Sequence, residues 1–144
     1  MEMDAGGDRG IRLEERLPTA EEHRLIAEAV GWRHAFEWDR LPASLARSLF
    51  GVVAFDGETV VGMGRVVGDG VMYFYIQDVA VLPAYQRRGV GAKILETLLD
   101  GIRPLAPAFV GLFATPGGMS LYRQAGFQVG DMTGLFQVLL PEGE

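Results

Sequence analysis

The residues best suited to chemistry in this chain lie in one short stretch, where an apolar run ends at Pro83 and a basic turn follows. The turn reads Gln86-Arg87-Arg88-Gly89-Val90-Gly91, and an amphipathic segment begins directly after it. We therefore expect a strand, a turn and a helix in that order. Unpaired N–H groups and the dipole at the start of a helix favour an anion. With two arginines beside it, the turn predicts a site for a phosphate or pyrophosphate.

Two common phosphate-binding loops do not match this turn. A P-loop requires a lysine between Gly and Ser or Thr, whereas Lys93 stands between Ala92 and Ile94. A dinucleotide loop requires a third glycine three residues after Gly91, and that position is Ile94. The pattern that remains is Gln/Arg-x-x-Gly-x-Gly/Ala.

This pattern, with the Val-Ala-Val run before it, resembles the acetyl-CoA signature of the GNAT N-acetyltransferases. A second segment, residues 121–127, is similar to the family's Leu/Phe-Tyr-x-x-x-Gly-Phe motif. The two motifs stand in the family's order, and the resemblance covers roughly Phe50 to Val138. The run at residues 75–81 also resembles the arylalkylamine and plant serotonin-type branch. The resemblance implies a GNAT fold and acetyl-CoA as the acetyl donor, with no metal.

The resemblance also implies where acetyl-CoA binds. The pantetheine arm pairs with the strand backbone, the pyrophosphate takes N–H groups of the turn, and Thr115 stands where the family often has a helper Asn. Contacts are implied for Val79, Ala80, Val81, Gln86, Arg87, Arg88, Gly89, Val90, Gly91, Ala92, Thr115 and Tyr122.

Two residues are predicted to move protons. Tyr122 occupies the motif position of the general acid that protonates the departing thiolate, and a phenol has the required O–H donor. Its alternative role is a packed helix tyrosine with its hydroxyl in solvent. Asp78 interrupts an apolar strand just before Val79-Ala80-Val81, where acetyl-CoA is expected to bind. It is the predicted base, directly or through a water. Its alternative role is structural, and Gln77 and Glu37 are weaker candidates for the base.

The resemblance also implies that a backbone N–H of Val79 or Ala80 stabilises the oxyanion that forms on the acetyl group. Aromatic side chains could line a pocket for the amine, although each is more often a core residue. The predicted pocket residues are Trp32, Phe50, Tyr73 and Tyr75.

The predicted function is direct acetyl transfer to a primary amine of a small molecule. Two alternatives stay open, a peptide N-terminal acetyltransferase and a non-catalytic acyl-CoA sensor.

Composition narrows the function classes. The chain has 144 residues, of which 49% are hydrophobic and 22% charged, which fits one domain over residues 10–144 after a disordered tail at residues 1–9. A net charge of -6 argues against nucleic-acid binding. Without cysteine, an acetyl-cysteine intermediate is excluded. His23 and His34 fit no metal spacing.

The chain carries no apolar run of membrane-spanning length and no secretory leader, so the predicted location is cytoplasmic, without membrane partners. A homodimer is a further expectation. Periodicity predicts the order β-α-α-β-β-β-α-β-α-β-β, an α/β (α+β) fold. The expected sheet is mixed, mostly antiparallel and twisted, with about six to seven strands and about four flanking helices. It includes a buried strand at residues 108–113 and closing strands at 127–129 and 135–139.

Overall fold

A computed structural model describes residues 10–33 and 36–139, so the predicted tail at residues 1–9 and His34 lie outside the described residues. One sheet forms the centre of the molecule, and its strands lie side by side in chain order. The first four run antiparallel to their neighbours and the fifth runs parallel to the fourth, which confirms a mixed, mostly antiparallel sheet. The strands are β1 (Ile11–Glu14), β2 (Phe50–Asp56), β3 (Thr59–Gly68), β4 (Tyr73–Val81) and β5 (Phe109–Gly111).

Four α-helices are present in the described part of the chain, as the sequence predicts. They are α1 (Ala20–Ala29), α2 (Leu41–Ala46), α3 (Val90–Ile102) and α4 (Met119–Gln124). The start of α1 is set locally by a capping box. The Thr19 hydroxyl accepts from the Glu22 N–H at 3.0 Å, and the Glu22 carboxylate accepts from the Thr19 N–H at 2.9 Å.

The sheet has a buried core on each face. On one face, apolar residues of α3 at three- and four-residue spacing, among them Ile94 and Leu98, pack against β2, β3 and β4. On the other face, Ile26 and Ala27 of α1 pack against Met63 of β3. Each fully buried Leu or Ile contributes about 1.5–3 kcal/mol by leaving water. The two helices therefore fix β3 and β4 between them.

The end of the chain differs from the prediction. The structure has five strands among the described residues, and the predicted closing strands at 127–129 and 135–139 are wrong, since this segment is irregular. The predicted buried strand at residues 108–113 is reduced to the three residues of β5, and Phe109 is 42% exposed. Apolar runs indicate a strand only where a neighbour supplies hydrogen bonds. A three-residue edge strand offers few, and glycines at 126, 130 and 134 interrupt the segment.

A bulge interrupts the pairing of β3 with β4. Met63 lies opposite Ala80 and Arg65 opposite Gln77, so Gly64 alone faces two residues of β4. Such two-against-one pairing bends the bulged strand and re-aims its side chains.

The bulge also changes which side chains of β4 face which helix. Ile76 and Val79 both contact the α3-side core, although they are three residues apart and a regular strand alternates every two. Asp78 has a φ of +58° at the bulge and turns its carboxylate towards His23 of α1. The bulge therefore places this carboxylate on the α1 face of the sheet.

Candidate active site

The turn after β4 has the geometry of an anion site. Arg87 and Gly89 have positive φ values of 64° and 84°, and α3 begins at Val90 with no side-chain cap on its first N–H groups. A β-carbon placed on Gly89 would meet no described atom within 4 Å, so the space at this helix end is open. Uncapped N–H groups at the start of a 13-residue helix are suited to phosphate oxygens.

Side chains of the turn hold its own backbone. Gln86 donates from Nε2 to the carbonyl of Val81 at 2.9 Å. Arg88 donates from Nη1 to the carbonyl of Ala84 at 3.3 Å and lies 5.0 Å from the ring centroid of Tyr85. The Tyr85 hydroxyl donates to Asp56 at 2.6 Å, which joins the turn to the β2–β3 hairpin. In this structure the motif glutamine positions the loop.

Beyond the bulge, β4 has no described strand beside it on the β5 side. The two strands pair only from Tyr73 opposite Phe109 to Tyr75 opposite Gly111, and β4 then continues to Val81. No described strand therefore pairs with the backbone of residues 79–81 on that side of β4. An extended arm can bind such a backbone as an added strand does.

The second motif lies beside the start of α3. A β-carbon placed on Gly91 would lie 3.6 Å from Leu121 of α4, so the two helices adjoin there. Tyr122 follows on α4, half-buried, with its ring edge-on to Phe127 at 6.0 Å. Burial raises the pKa of Tyr122 above its ordinary value of 10.0, so the phenol keeps its proton at neutral pH. Thr115 precedes the turn Pro116–Gly118 and accepts from the Gly118 N–H at 2.9 Å.

Tyr122 borders a cleft of about 930 Å³ between β5, α4 and the segment after α4. The wall is largely apolar and includes Tyr75, Phe109, Phe113, Met119, Phe127 and Met132. Neither Asp78 nor any residue of the turn at 86–91 is among the described residues that line it. The two predicted proton-transfer residues therefore do not share this cleft.

Asp78 belongs to a buried polar cluster. Its side chain is 10% exposed, and its Oδ2 accepts from Arg65 Nε at 2.8 Å and lies 3.0 Å from His23 Nε2. Burial raises the pKa of Asp78, but the His23 hydrogen bond and the Arg65 charge outweigh burial, and the pKa falls below its ordinary 3.8. The carboxylate is therefore ionised at neutral pH, and one of its oxygens is already engaged twice.

Neither the pairing of Arg65 with Asp78 nor the place of His23 in this cluster was predicted from the sequence. A usable signal was present, since Arg65 and Asp78 each interrupt an apolar strand, and a charge buried in a sheet requires a partner. Arg65 also donates from Nη1 to the hydroxyls of Ser44 at 3.1 Å and Ser48 at 3.0 Å. Those contacts depend on tertiary packing.

The four aromatic residues predicted for the amine pocket are dispersed. Tyr75 lines the cleft with Tyr122, and Tyr73 contacts Phe109 on the edge of the sheet. Trp32 packs beside α1. Phe50 packs against Gly101 of α3, on the opposite face of the sheet from His23 and Asp78. The structure thus brings one of the four to the cleft of Tyr122.

Two features are absent from the described residues. They contain no group of three His, Cys, Asp or Glu side chains that could hold a metal ion. None of the helices described is both long enough and apolar enough to cross a membrane.

Comparison with known proteins is consistent with this geometry. The family model described as acetyltransferase (GNAT) domain matches residues 47–129, more than half of the chain. The structure of a probable acetyltransferase from meticillin-resistant Staphylococcus aureus superposes with a TM-score of 0.82 at 28% identity, covering 90% of this chain and 99% of that one. The protein belongs to the GNAT acetyltransferase family, and its mixed sheet is the GNAT fold.

Two sequence relatives share part of this domain. An uncharacterized N-acetyltransferase, ycf52-like, from Prochlorococcus marinus is 30% identical over 106 residues, which are 71% of this chain and 58% of that protein. Serotonin N-acetyltransferase 2, chloroplastic, from Oryza sativa subsp. japonica is 34% identical over 67 residues, 46% of this chain and 34% of that protein. This chain therefore spans about a third to somewhat over half of these relatives' own lengths.

Proposed function

We propose that this protein is an acetyl-CoA-dependent N-acetyltransferase that moves the acetyl group directly to a primary amine of a small molecule. The observation that carries the proposal is that β4 continues past its pairing with β5 and leads into the turn before α3, whose first N–H groups have no side-chain cap. Backbone groups of residues 79–81 can bind the pantetheine arm, and the N–H groups of residues 87–92 can bind the pyrophosphate. In this proposal one strand-turn-helix unit supplies the contacts to both parts of the donor.

In the proposed reaction the amine nitrogen forms a bond to the acetyl carbon and the carbon–sulfur bond breaks. A backbone N–H of Val79 or Ala80 stabilises the charge that develops on the carbonyl oxygen. Tyr122 gives its phenolic proton to the leaving sulfur, and its raised pKa keeps that proton available at neutral pH. Because the chain has no cysteine, no acetyl-cysteine intermediate can form.

The amine must lose a proton, and the sequence predicts Asp78 as the base, directly or through a water. The lowered pKa of Asp78 and its two contacts on Oδ2 make direct proton abstraction unfavourable. A water chain is the route that these contacts favour. The assignment of Asp78 as the base stays a prediction, which its Asn variant tests.

For the acceptor we propose an arylalkylamine. The similarity to the rice protein named as a serotonin N-acetyltransferase supports this class, and so does the aromatic wall that Tyr75 and Phe109 give the cleft. An aromatic ring packs favourably against such side chains. The cytoplasmic location and the homodimer stay predictions.

The test is thiol release from acetyl-CoA in the presence of arylalkylamines, polyamines, aminoglycosides or short peptides. The protein adds no thiol background of its own. We expect release with arylalkylamines, and selective release with peptides would favour a peptide N-terminal acetyltransferase instead. Acetyl-CoA binding without release on any amine would favour the sensor alternative. Absence of binding would contradict the proposed role of the turn.

A further inference from the structure

Asp78 has a backbone conformation that is uncommon for residues other than glycine. Among the described residues, three that are not glycine have positive φ, and Asp78 is the one that lies inside a strand. A side chain with a β-carbon is strained at a φ of +58°, whereas glycine is not. Such a conformation persists where the surrounding structure holds it. The contacts that hold Asp78 are therefore part of what shapes β4.

Two side chains hold the Asp78 carboxylate. Arg65, from β3, is 7% exposed and binds Oδ2 while its Nη1 reaches hydroxyls at the end of α2. His23, from α1, is fully buried and contacts the same oxygen through Nε2. Its ring stands edge-on to Phe36 at 4.8 Å, and its Nδ1 has no partner among the described residues. The polar contact that the structure gives this ring is therefore the one to Asp78.

The residue that follows Asp78 is Val79, which lies beyond the part of β4 that pairs with β5. A rotation of the backbone at Asp78 would turn the peptide plane that carries the Val79 N–H. We propose that His23 and Arg65 are positioning residues for acetyl transfer. They hold Asp78, and through it the bulge, in the conformation that aims the Val79 N–H at the donor carbonyl. This inference rests on the proposed function for the identity of the donor.

The test compares two double variants that both lack the ion pair. Arg65→Met with Asp78→Gly leaves a residue that adopts a positive φ freely, whereas Arg65→Met with Asp78→Ala leaves one that does not. We expect kcat of the glycine variant to exceed that of the alanine variant about tenfold or more, because both lack the carboxylate and only the alanine variant resists the positive φ. The Kd for acetyl-CoA should change less than kcat, because the Val79 N–H acts mainly on the developing charge.

His23 is tested in the same way. His23→Phe keeps a ring in the aromatic surroundings but loses the contact to Asp78, and we expect kcat to fall. In the Arg65→Met, Asp78→Gly background, where no carboxylate is left to hold, the same His23→Phe substitution should lower kcat by a much smaller factor. Thermal melts followed by circular dichroism establish that each variant is folded before its kinetics are compared.

Two kinetic outcomes would overturn the inference. Equal loss of kcat in the glycine and alanine double variants would mean that the carboxylate itself is needed. Equal retention would mean that the bulge needs no support from these side chains.

Amide hydrogen exchange at Val79 and Ala80 tests, without any enzymatic assay, whether the backbone at the bulge depends on the residue at position 78. We expect exchange about tenfold or more faster in the alanine double variant than in the glycine one. Equal exchange would overturn the inference even if the enzyme is active. If the wild type fails to bind acetyl-CoA, the proposed function is wrong. The exchange comparison then still decides whether His23 and Arg65 hold the bulge.

Discussion

Arg65 donates a hydrogen bond of 2.8 Å to Asp78 across the bulge between β3 and β4, and the two side chains are only 9% and 10% exposed. A buried ion pair is poor evidence of net stabilisation, because both charges have left water. Removing one partner is nevertheless costly, because the other charge stays buried without it. The pair thus makes a stretch of the central sheet sensitive to single substitutions.

The first prediction concerns stability. Arg65→Met should lower the free energy of unfolding by about 3–5 kcal/mol, because Asp78 stays buried with His23 alone. Arg103→Met is the matched control, since Arg103 binds Asp100 at 2.6 Å on the surface, where such a pair contributes at most about 1 kcal/mol. Urea unfolding followed by circular dichroism measures both. Equal losses would contradict the buried role of Arg65.

The second prediction concerns pH. The folded-state pKa of Asp78 is lower than its unfolded value, so this group contributes stability above about pH 3.9 and loses it as the pH falls through the folded-state pKa. The difference in urea midpoint between wild type and Arg65→Met should therefore shrink as the pH falls from 7 to 3. A difference that stays constant over this range would mean that Arg65 does not lower the pKa of Asp78.

The third prediction concerns the general acid. Tyr122→Phe should lower kcat about 100-fold or more and leave the Kd for acetyl-CoA unchanged, because the ring remains and the donor O–H is lost. The raised pKa of Tyr122 means that the wild type should show no alkaline loss of kcat from this group below about pH 10. Thiol release and isothermal calorimetry measure the two quantities. A kcat close to that of the wild type would exclude Tyr122 as the acid.

The fourth prediction concerns the base. Asp78→Asn keeps a hydrogen-bond acceptor and a residue that tolerates positive φ, while it removes the basic group. If water takes the proton from the amine, kcat should fall by less than about tenfold. A loss of about 100-fold or more in a folded variant would instead identify Asp78 as the base. Single-turnover thiol release at several pH values distinguishes the two.

The fifth prediction concerns the turn at residues 86–91, where the pyrophosphate is proposed to bind. Gly89→Ala imposes a β-carbon at a φ of +84°, so the turn should shift and the affinity for acetyl-CoA should fall about tenfold or more. Gly57→Ala is the matched control, because Gly57 has a φ of +62° in the β2–β3 hairpin. Both substitutions should cost similar stability, about 1–2 kcal/mol. Equal affinity for acetyl-CoA in the two variants would contradict the assignment of the turn.

Several features were predictable because they depend on neighbours in the chain. The capping box of α1, the hairpin at Asp56 and Gly57 and the helix after the basic turn follow from short patterns. The closing strands were predicted wrongly, because an apolar run does not reveal whether a neighbouring strand is present to pair with it.

The amino-acid sequence by itself determined the GNAT family of this protein, the basic turn between β4 and α3 and the position of Tyr122 on a helix. Each of these is set by residues within a few positions of one another. Only the tertiary structure decided that Asp78 joins Arg65 and His23, 13 and 55 residues away. It also decided that β4 carries a bulge and that β5 ends after three residues. These outcomes depend on which distant groups meet in the core, where a buried charge must find its partner and a strand its neighbour.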